Sequence, residues 1–315
     1  MKILIGMDLN EAQRAPFIAA AAGHEVVFVP RAGITAENAA DAEVILGNPP
    51  HAILPQLKKL RMLQLNSAGN DGYDTAITAC PEAKLYNGSG AYGLAISEHM
   101  LCVLLMLMKK MHLYRDIQPT GQWHNFGQVT SIWRSRILVL GMGNIGTAFA
   151  ERAKAMGAYV IGMKRTPGDV PPCCDEMHTI DKLDEILPTV DAVCMSLPNT
   201  AATQGIISAE RIAAMKDGAY IVNVGRGSAI DQDALISALN SGHLGGAALD
   251  VMVPEPLPEN HLLWTARNCL ITPHISGGYN LPQTYVYVQE IALRNLKAYL
   301  AGEPLINEVN LSTGY

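Results

Sequence analysis

The stretch Arg136-Ile-Leu-Val-Leu-Gly141-Met-Gly143-Asn-Ile-Gly146-Thr-Ala-Phe-Ala-Glu151 decides how the rest of the chain is read. Ile137 to Leu140 is an uncharged run of branched apolar residues, the composition of a strand buried on both faces. Gly141-x-Gly143-x-x-Gly146 follows, then a helical pattern through Met156 that stops at Gly157. Each glycine has its own physical task. Gly141 permits a tight turn, Gly143 lets backbone approach a pyrophosphate, and Gly146 lets the helix pack closely on the strand. The helix aims its unpaired N–H groups and positive dipole end at the same spot, so Gly141, Met142, Gly143, Asn144, Ile145 and Gly146 are predicted to hold a dinucleotide. A glycine-rich turn without a ligand is the competing reading, and the framing strand and helix count against it.

Downstream, further strands are predicted at 159–162, 192–196, 220–223, 247–251 and 270–272. Helices fall near 144–156, 182–187, 208–215 and 231–241, the last opened by Asp231 as N-cap. With 137–140 this makes six strands, the full Rossmann count. Upstream, strands at 3–5, 26–29, 44–46, 62–65 and 84–86 alternate with helical stretches at 11–22, 35–42 and 55–59, without a glycine fingerprint. Leu94 to about His112 reads as one long buried helix that bridges the two halves, and a last helix over 283–300 is expected to return to the first half. The expected fold is α/β, with two doubly wound parallel-sheet domains. A Rossmann dinucleotide-binding domain with its linking helix (94–285) is inserted in a flavodoxin-like substrate domain (1–93 and 286–315).

Composition narrows the function. A length of 315 residues suits two ordinary domains, and 49% apolar with 17% charged residues is the mix of a folded chain rather than a disordered one. The net charge of −6 and a pI near 5.8, without a cluster of Lys and Arg, argue against a nucleic-acid surface. The longest apolar run, Met100 to Met108, is too short for a membrane span, and Met1 to Asp8 reads as a strand rather than a signal peptide. Six cysteines show no zinc spacing; no metal is expected, and reduced thiols of a cytosolic protein are.

Several turns carry unusual polar residues. Asn66-Ser67-Ala68-Gly69-Asn70-Asp71-Gly72 lies at the carboxyl end of the fourth strand, where ligands of open sheets bind. It could hold a carboxylate on backbone N–H groups, or be an ordinary Gly- and Asn-rich turn. After the second Rossmann strand, an acidic residue that would accept from the ribose of NAD is missing. Met163-Lys164-Arg165-Thr166 stands there instead, and no carboxylate is in reach before Asp169. Lys164, Arg165 and Thr166 suit a 2′-phosphate and so NADP in preference to NAD, unless they are solvated turn charges.

Three segments each place one ionisable side chain just past a buried strand. They are Ile221-Val-Asn223-Val-Gly225-Arg226-Gly227, Ala248-Leu-Asp250-Val-Met-Val-Pro-Glu255-Pro-Leu-Pro258 and Ile271-Thr-Pro-His274-Ile-Ser-Gly277-Gly278. Singly, Arg226 could be a surface turn residue, Glu255 a solvated carboxylate in a proline loop and His274 a satisfied helix-entry residue. Together with the glycine turn, Ser196-Leu197-Pro198, Thr203 and the tail Asn295 to Asn307, they resemble the D-isomer-specific, NAD(P)-dependent 2-hydroxyacid dehydrogenase family over nearly the whole chain.

The resemblance implies His274 as acid/base, Glu255 as its partner and Arg226 as the group that grips the substrate's carboxylate and carbonyl. The chemistry agrees, since a carboxylate beside a His favours the charged ring, and Arg offers a planar fork of donors. The resemblance further implies that Ala68, Gly69 and Asn70 take the carboxylate's other side. Asp250 and Gly277 would touch the nicotinamide end, and Ser196, Leu197, Pro198, Thr203, Val224 and Gly225 the rest of the dinucleotide. The expected activity is reduction of a small 2-oxo acid with NADPH, NAD remaining possible. The site is expected in the cleft between the domains, and a homodimer is expected from the strongly apolar 94–112 helix. Rival readings are a dinucleotide-sensing corepressor-like binding protein and a formate- or phosphite-type dehydrogenase of the same fold. Candidate side-chain pocket residues are Asn70, Tyr92, Met252, Trp264 and Tyr279.

Overall fold

The computed structural model describes residues 1–312, and its contacts divide the chain into two units. One comprises Met1–Tyr92 with the segment from Leu281 onward, the other Gly93–Asn280. Residues 313–315, the end of the predicted range 286–315, lie outside the described residues.

The first unit opens with β1 (Lys2–Gly6), α1 (Glu11–Ala20), β2 (Glu25–Val29), α2 (Ala36–Ala39), β3 (Ala42–Leu46), β4 (Met62–Gln64), α3 (Tyr73–Ala76) and β5 (Lys84–Tyr86). All five strands pair in parallel in the order β2-β1-β3-β4-β5, the flavodoxin-like arrangement. Leu4, Ile45 and Leu63 are fully buried, as strands covered on both faces require. Helix starts are encoded locally. Asn10 and Gln13 form a capping box on α1, and Thr35 with Asn38 does the same on α2. The stretch predicted helical at 55–59 is instead a 3₁₀ turn at His51–Gln56; Pro55 has no N–H for an α-ladder.

The second unit contains α4 (Gly93–Met108), α5 (Met111–Ile117), β6 (Arg136–Leu140), α6 (Asn144–Ala155), β7 (Tyr159–Lys164), β8 (Glu176–Thr179), α7 (Leu183–Ile186), β9 (Ala192–Met195), α8 (Ala209–Ala214), β10 (Tyr220–Asn223), α9 (Gln232–Ser241), β11 (Gly246–Leu249) and β12 (Cys269–Ile271). Its parallel sheet has the order β12-β11-β10-β9-β6-β7-β8, a Rossmann sheet with one strand more than predicted. The unpredicted strand is β8, Glu-Met-His-Thr. It pairs only with β7 at the sheet edge and needs no apolar run, so it carries no strand signature. The helix predicted from Leu94 to about His112 is two. Lys110 adopts a left-handed φ of 55°, and the amines of Lys109 and Lys110 reach the carbonyls of Thr130 and Phe126, each at 2.7 Å. Asp231 caps α9 as predicted, accepting from the Ala234 N–H at 3.0 Å. Leu138, Ile161, Val193 and Ile221 form the centre of the core.

The chain then re-enters the first unit as α10 (Pro282–Ala301), which opens on proline and buries Val288, Ala292 and Leu296. Buried Asn295 donates to the Gln64 side chain at 2.6 Å, and exchanges two hydrogen bonds with the Ile306 backbone. No helix among the described residues is long and apolar enough to cross a membrane.

Candidate active site

Because β6, β10, β11 and β12 run parallel, the residues that follow them share one edge of the sheet: Gly141, Arg226, Asp250 and His274. The glycine turn is closed on its protein side. Gly141 sits at φ 105° and donates its N–H to Met163 O at 3.0 Å. A Cβ on Gly146 would lie 1.9 Å from Gly141 O, and one on Gly141 3.1 Å from Ser196 O, so both are glycines of necessity. On its other side the turn is open. Nothing lies within 4 Å of a Cβ built on Gly143, which caps α6 without a side chain. That cradle of exposed backbone at a helix N-terminus fits a dinucleotide pyrophosphate. Met142 and Ile145 are half-buried around it, and Asn144 is exposed.

Neighbouring loops brace the cradle. Ser196 Oγ donates to Gly141 O at 3.0 Å, and Thr203 Oγ1 to Pro198 O at 2.6 Å, which ties off the loop after β9. A Cβ on Gly225 would meet Leu197 O at 2.5 Å. Val224 is buried and donates to Met195 O at 3.0 Å. Lys164 ends β7 half-buried, its amine folded toward Gly168, while Arg165 and Thr166 are exposed.

The three ionisable segments are built onto one another. Buried Asn223 shapes the turn after β10, accepting from the Gly225 N–H at 3.0 Å and donating to Arg226 O at 2.9 Å. Arg226 is half-buried and donates from Nη1 to Gly225 O at 2.7 Å. A Cβ on Gly227 would lie 2.3 Å from Met252 C, so the Arg226 turn is pressed against the stretch leading to Glu255. Met252 in turn donates its N–H to Glu255 Oε1 at 3.0 Å, and His274 Nδ1 meets Glu255 Oε2 at 2.7 Å. Gln232 braces the same loop through both its amide atoms, which bond the backbone of Val253.

Asp250 is 2% exposed and accepts four hydrogen bonds: from the Thr272 hydroxyl, the Ile275 N–H, the Ser276 N–H and the Ser276 hydroxyl. Burial alone would push its carboxyl up, yet the bonds from Ser276, Thr272 and the backbone hold it below the usual carboxylate range. Gly277 follows half-buried. Sequence reasoning missed Asn223, Gln232, Thr272 and Ser276, all of which shape the site through bonds that no spacing rule reveals. The one available signal was a hydroxyl residue directly after an apolar strand, at Thr272.

Of the candidate pocket residues in this unit, Met252 is buried, Tyr279 half-buried and Trp264 half-exposed with its indole N–H on Pro258 O at 2.8 Å. In the first unit, Ala68 and Gly69 are half-buried and Asn70 is buried. Ser67 Oγ donates to Gly69 O at 2.7 Å, and the Tyr92 hydroxyl to Asn66 O at 2.6 Å.

A Rossmann sheet with an open glycine turn at this edge has the form of a dinucleotide-binding protein, and comparison with known proteins gives the class. Residues 101–276 match the family model of the D-isomer specific 2-hydroxyacid dehydrogenase NAD binding domain. A glyoxylate/hydroxypyruvate reductase B of Erwinia tasmaniensis is 32% identical over 295 residues, 88% of this chain and 90% of that protein. A solved D-isomer specific 2-hydroxyacid dehydrogenase family protein from Aeromonas salmonicida is 30% identical with a TM-score of 0.85, covering 98% of this chain and 99% of that one. Another from Xanthobacter autotrophicus, in complex with NADPH and MES, is 28% identical with a TM-score of 0.83, covering 100% of this chain and 99% of that one. The chain belongs to the D-isomer-specific 2-hydroxyacid dehydrogenase family. It is an NAD(P)-dependent oxidoreductase that interconverts 2-hydroxy and 2-oxo acids.

Proposed function

We propose that the protein works as a 2-oxo acid reductase with NADPH, and that His274 is its proton donor. The observation that carries this reading is the 2.7 Å pair of His274 Nδ1 with Glu255 Oε2 on the sheet edge that also bears the glycine turn. When bound, the reduced nicotinamide supplies the hydride to the substrate's carbonyl carbon. The chain's own residues do the rest. Glu255 accepts the Nδ1 proton of His274 and leaves Nε2 to deliver a proton to the carbonyl oxygen. Arg226 binds the carboxylate and stabilises charge as it builds on that oxygen. Ala68, Gly69 and Asn70 of the first unit are assigned to the substrate's carboxylate, and Asp250 and Gly277 to the nicotinamide end.

Lys164, Arg165 and Thr166 support NADPH over NADH, since they offer a 2′-phosphate donors and charge and offer a ribose hydroxyl no carboxylate. Turnover of a panel of 2-oxo acids with each cofactor tests the reading. Oxidation of NADPH by at least one 2-oxo acid is expected, and dinucleotide binding without turnover of any would overturn it in favour of a sensor.

A homodimer belongs to the same proposal. Met111, Trp123, Val129 and Trp133 leave large apolar side chains exposed on the single chain, within one stretch after α4. Sedimentation of the wild type against Trp123→Asp tests it, with a dimer that weakens in the variant as the expected result.

A further inference from the structure

His274 stands at φ 53°, a left-handed conformation that is costly for any residue but glycine and persists only where its surroundings impose it. The hydrogen bonds around it share one buried carboxylate. Asp250 Oδ1 accepts from the Thr272 hydroxyl at 2.5 Å and from the Ile275 N–H at 3.0 Å. Asp250 Oδ2 accepts from the N–H of Ser276 at 3.0 Å, and from its hydroxyl. The backbone carbonyl of Asp250 takes the N–H of His274 itself at 2.9 Å. These bonds straddle His274 on both sides.

The chain of bonds continues outward. Thr272 has one hydroxyl proton, and an ionised carboxylate can only accept, so that proton is committed to Asp250. His99 Nε2 lies 3.3 Å from the same Thr272 oxygen and is therefore the donor, which places its proton on Nε2. His99 sits on α4. The first residue of that helix, Gly93, presses on the head of α6, where an added Cβ would come within 2.6 Å of Asn144 Oδ1. The helix that carries His99 is thus seated against the start of the helix that carries the glycine turn.

We infer that Thr272 and His99 are positioning residues for the proton donor: His99 fixes the Thr272 hydroxyl, Thr272 fixes Asp250, and Asp250 holds the 272–276 turn in the conformation that presents His274. The inference rests on the reading of His274 as the acid, and it assigns function to two residues that act through Asp250 rather than on the reacting atoms. Catalysis is sensitive to such placement, since a misplacement of about 1 Å costs up to roughly 100-fold in rate.

The test uses the full chain with two matched pairs. Thr272→Val keeps the shape and removes the hydroxyl, while Thr272→Ser keeps the hydroxyl. His99→Leu removes the donor, while His99→Gln retains an amide N–H in its place. Thr272→Val is expected to lower kcat about tenfold or more while NADPH affinity, read by fluorescence titration, changes less than about twofold. Thr272→Ser should recover most of the loss, and His99→Gln should recover that of His99→Leu. The double variant Thr272→Val/His99→Leu should be no worse than Thr272→Val alone, because His99 acts through Thr272. Without cofactor or substrate, hydrogen exchange over residues 272–278 should quicken in Thr272→Val and not in Thr272→Ser. Wild-type kcat in Thr272→Val, equal loss in Thr272→Ser, or additive losses in the double variant would overturn the inference. If the protein reduces no 2-oxo acid, the parent reading fails, and the exchange experiment still decides whether the hydroxyl holds the turn. If Thr272→Val does not fold, the His99 pair reads the same chain.

Discussion

Glu255 and His274 are joined through Oε2 and Nδ1 at 2.7 Å, while the second oxygen of Glu255 accepts the Met252 N–H at 3.0 Å. The carboxylate is anchored on one oxygen by its own loop after β11 and on the other by the turn after β12. An ionised carboxylate can only accept, so this pair favours the proton on Nδ1 and leaves Nε2 for the proton transfer proposed above.

Replacing His274 by Asn removes the proposed proton donor and leaves the glycine turn untouched. General acid catalysis is worth roughly 10²–10⁴-fold, so kcat for 2-oxo acid reduction should fall by about 100-fold or more. NADPH affinity, measured by fluorescence titration, should stay near wild type. A variant that keeps most of its kcat would take His274 out of the mechanism.

Glu255→Gln keeps the shape but withdraws the charge and the fixed acceptor. The amide can face His274 with either end, so the ring tautomer is no longer imposed. A kcat loss of about tenfold or more is expected, with the KM for NADPH unchanged. Steady-state kinetics with unaltered kcat would show that the pair is structural only.

Arg226→Lys retains a positive charge and loses the planar fork. The KM for the 2-oxo acid should rise and kcat should fall together, by on the order of tenfold in kcat/KM or more. Kinetics indistinguishable from wild type would contradict its role at the carboxylate.

Asp250 provides the pH prediction. Its folded-state carboxyl is held below the usual range, so its contribution to stability is fully present above the unfolded carboxyl's value and is lost as pH falls through the lower folded value. Asp250→Asn should therefore lower Tm at neutral pH, with a cost on the order of 2–4 kcal/mol for bonds to a buried charge. The gap between variant and wild type should close as the pH drops below the carboxylate range. Thermal melts across pH check this, and a gap that is the same in acid and at neutrality would place the effect elsewhere.

The proposed preference for NADPH is tested at Arg165. One charge-assisted hydrogen bond contributes roughly 1.5–3 kcal/mol, and salt screens it at an exposed turn, so NADPH should lead NADH by at least about tenfold in kcat/KM. Arg165→Ala should erode that lead and leave NADH nearly unchanged. Equal preference in the wild type, or equal loss for both cofactors, would reduce the basic pair to a solvated turn.

Much of this molecule was legible in its residues alone. Unbroken apolar runs marked buried parallel strands, because a strand covered on both faces has no polar side to show. Asp231 announced the start of α9, and Gly141 to Gly146 announced a tight, open turn at the head of α6, because caps and tight turns are decided within a few residues. The ionisable residues at 226, 255 and 274 could be found because each directly follows a strand or its loop. The edge strand β8 could not, since pairing on one side alone demands no periodic pattern. Nor could the break at Lys110, where two lysines answer to carbonyls some twenty residues away. The hydrogen-bonded chain from His99 through Thr272 and Asp250 to the turn of His274 spans more than 170 positions. Only the tertiary structure decided it, because a hydrogen bond depends on atoms a few ångströms apart in space, and sequence distance carries no record of that.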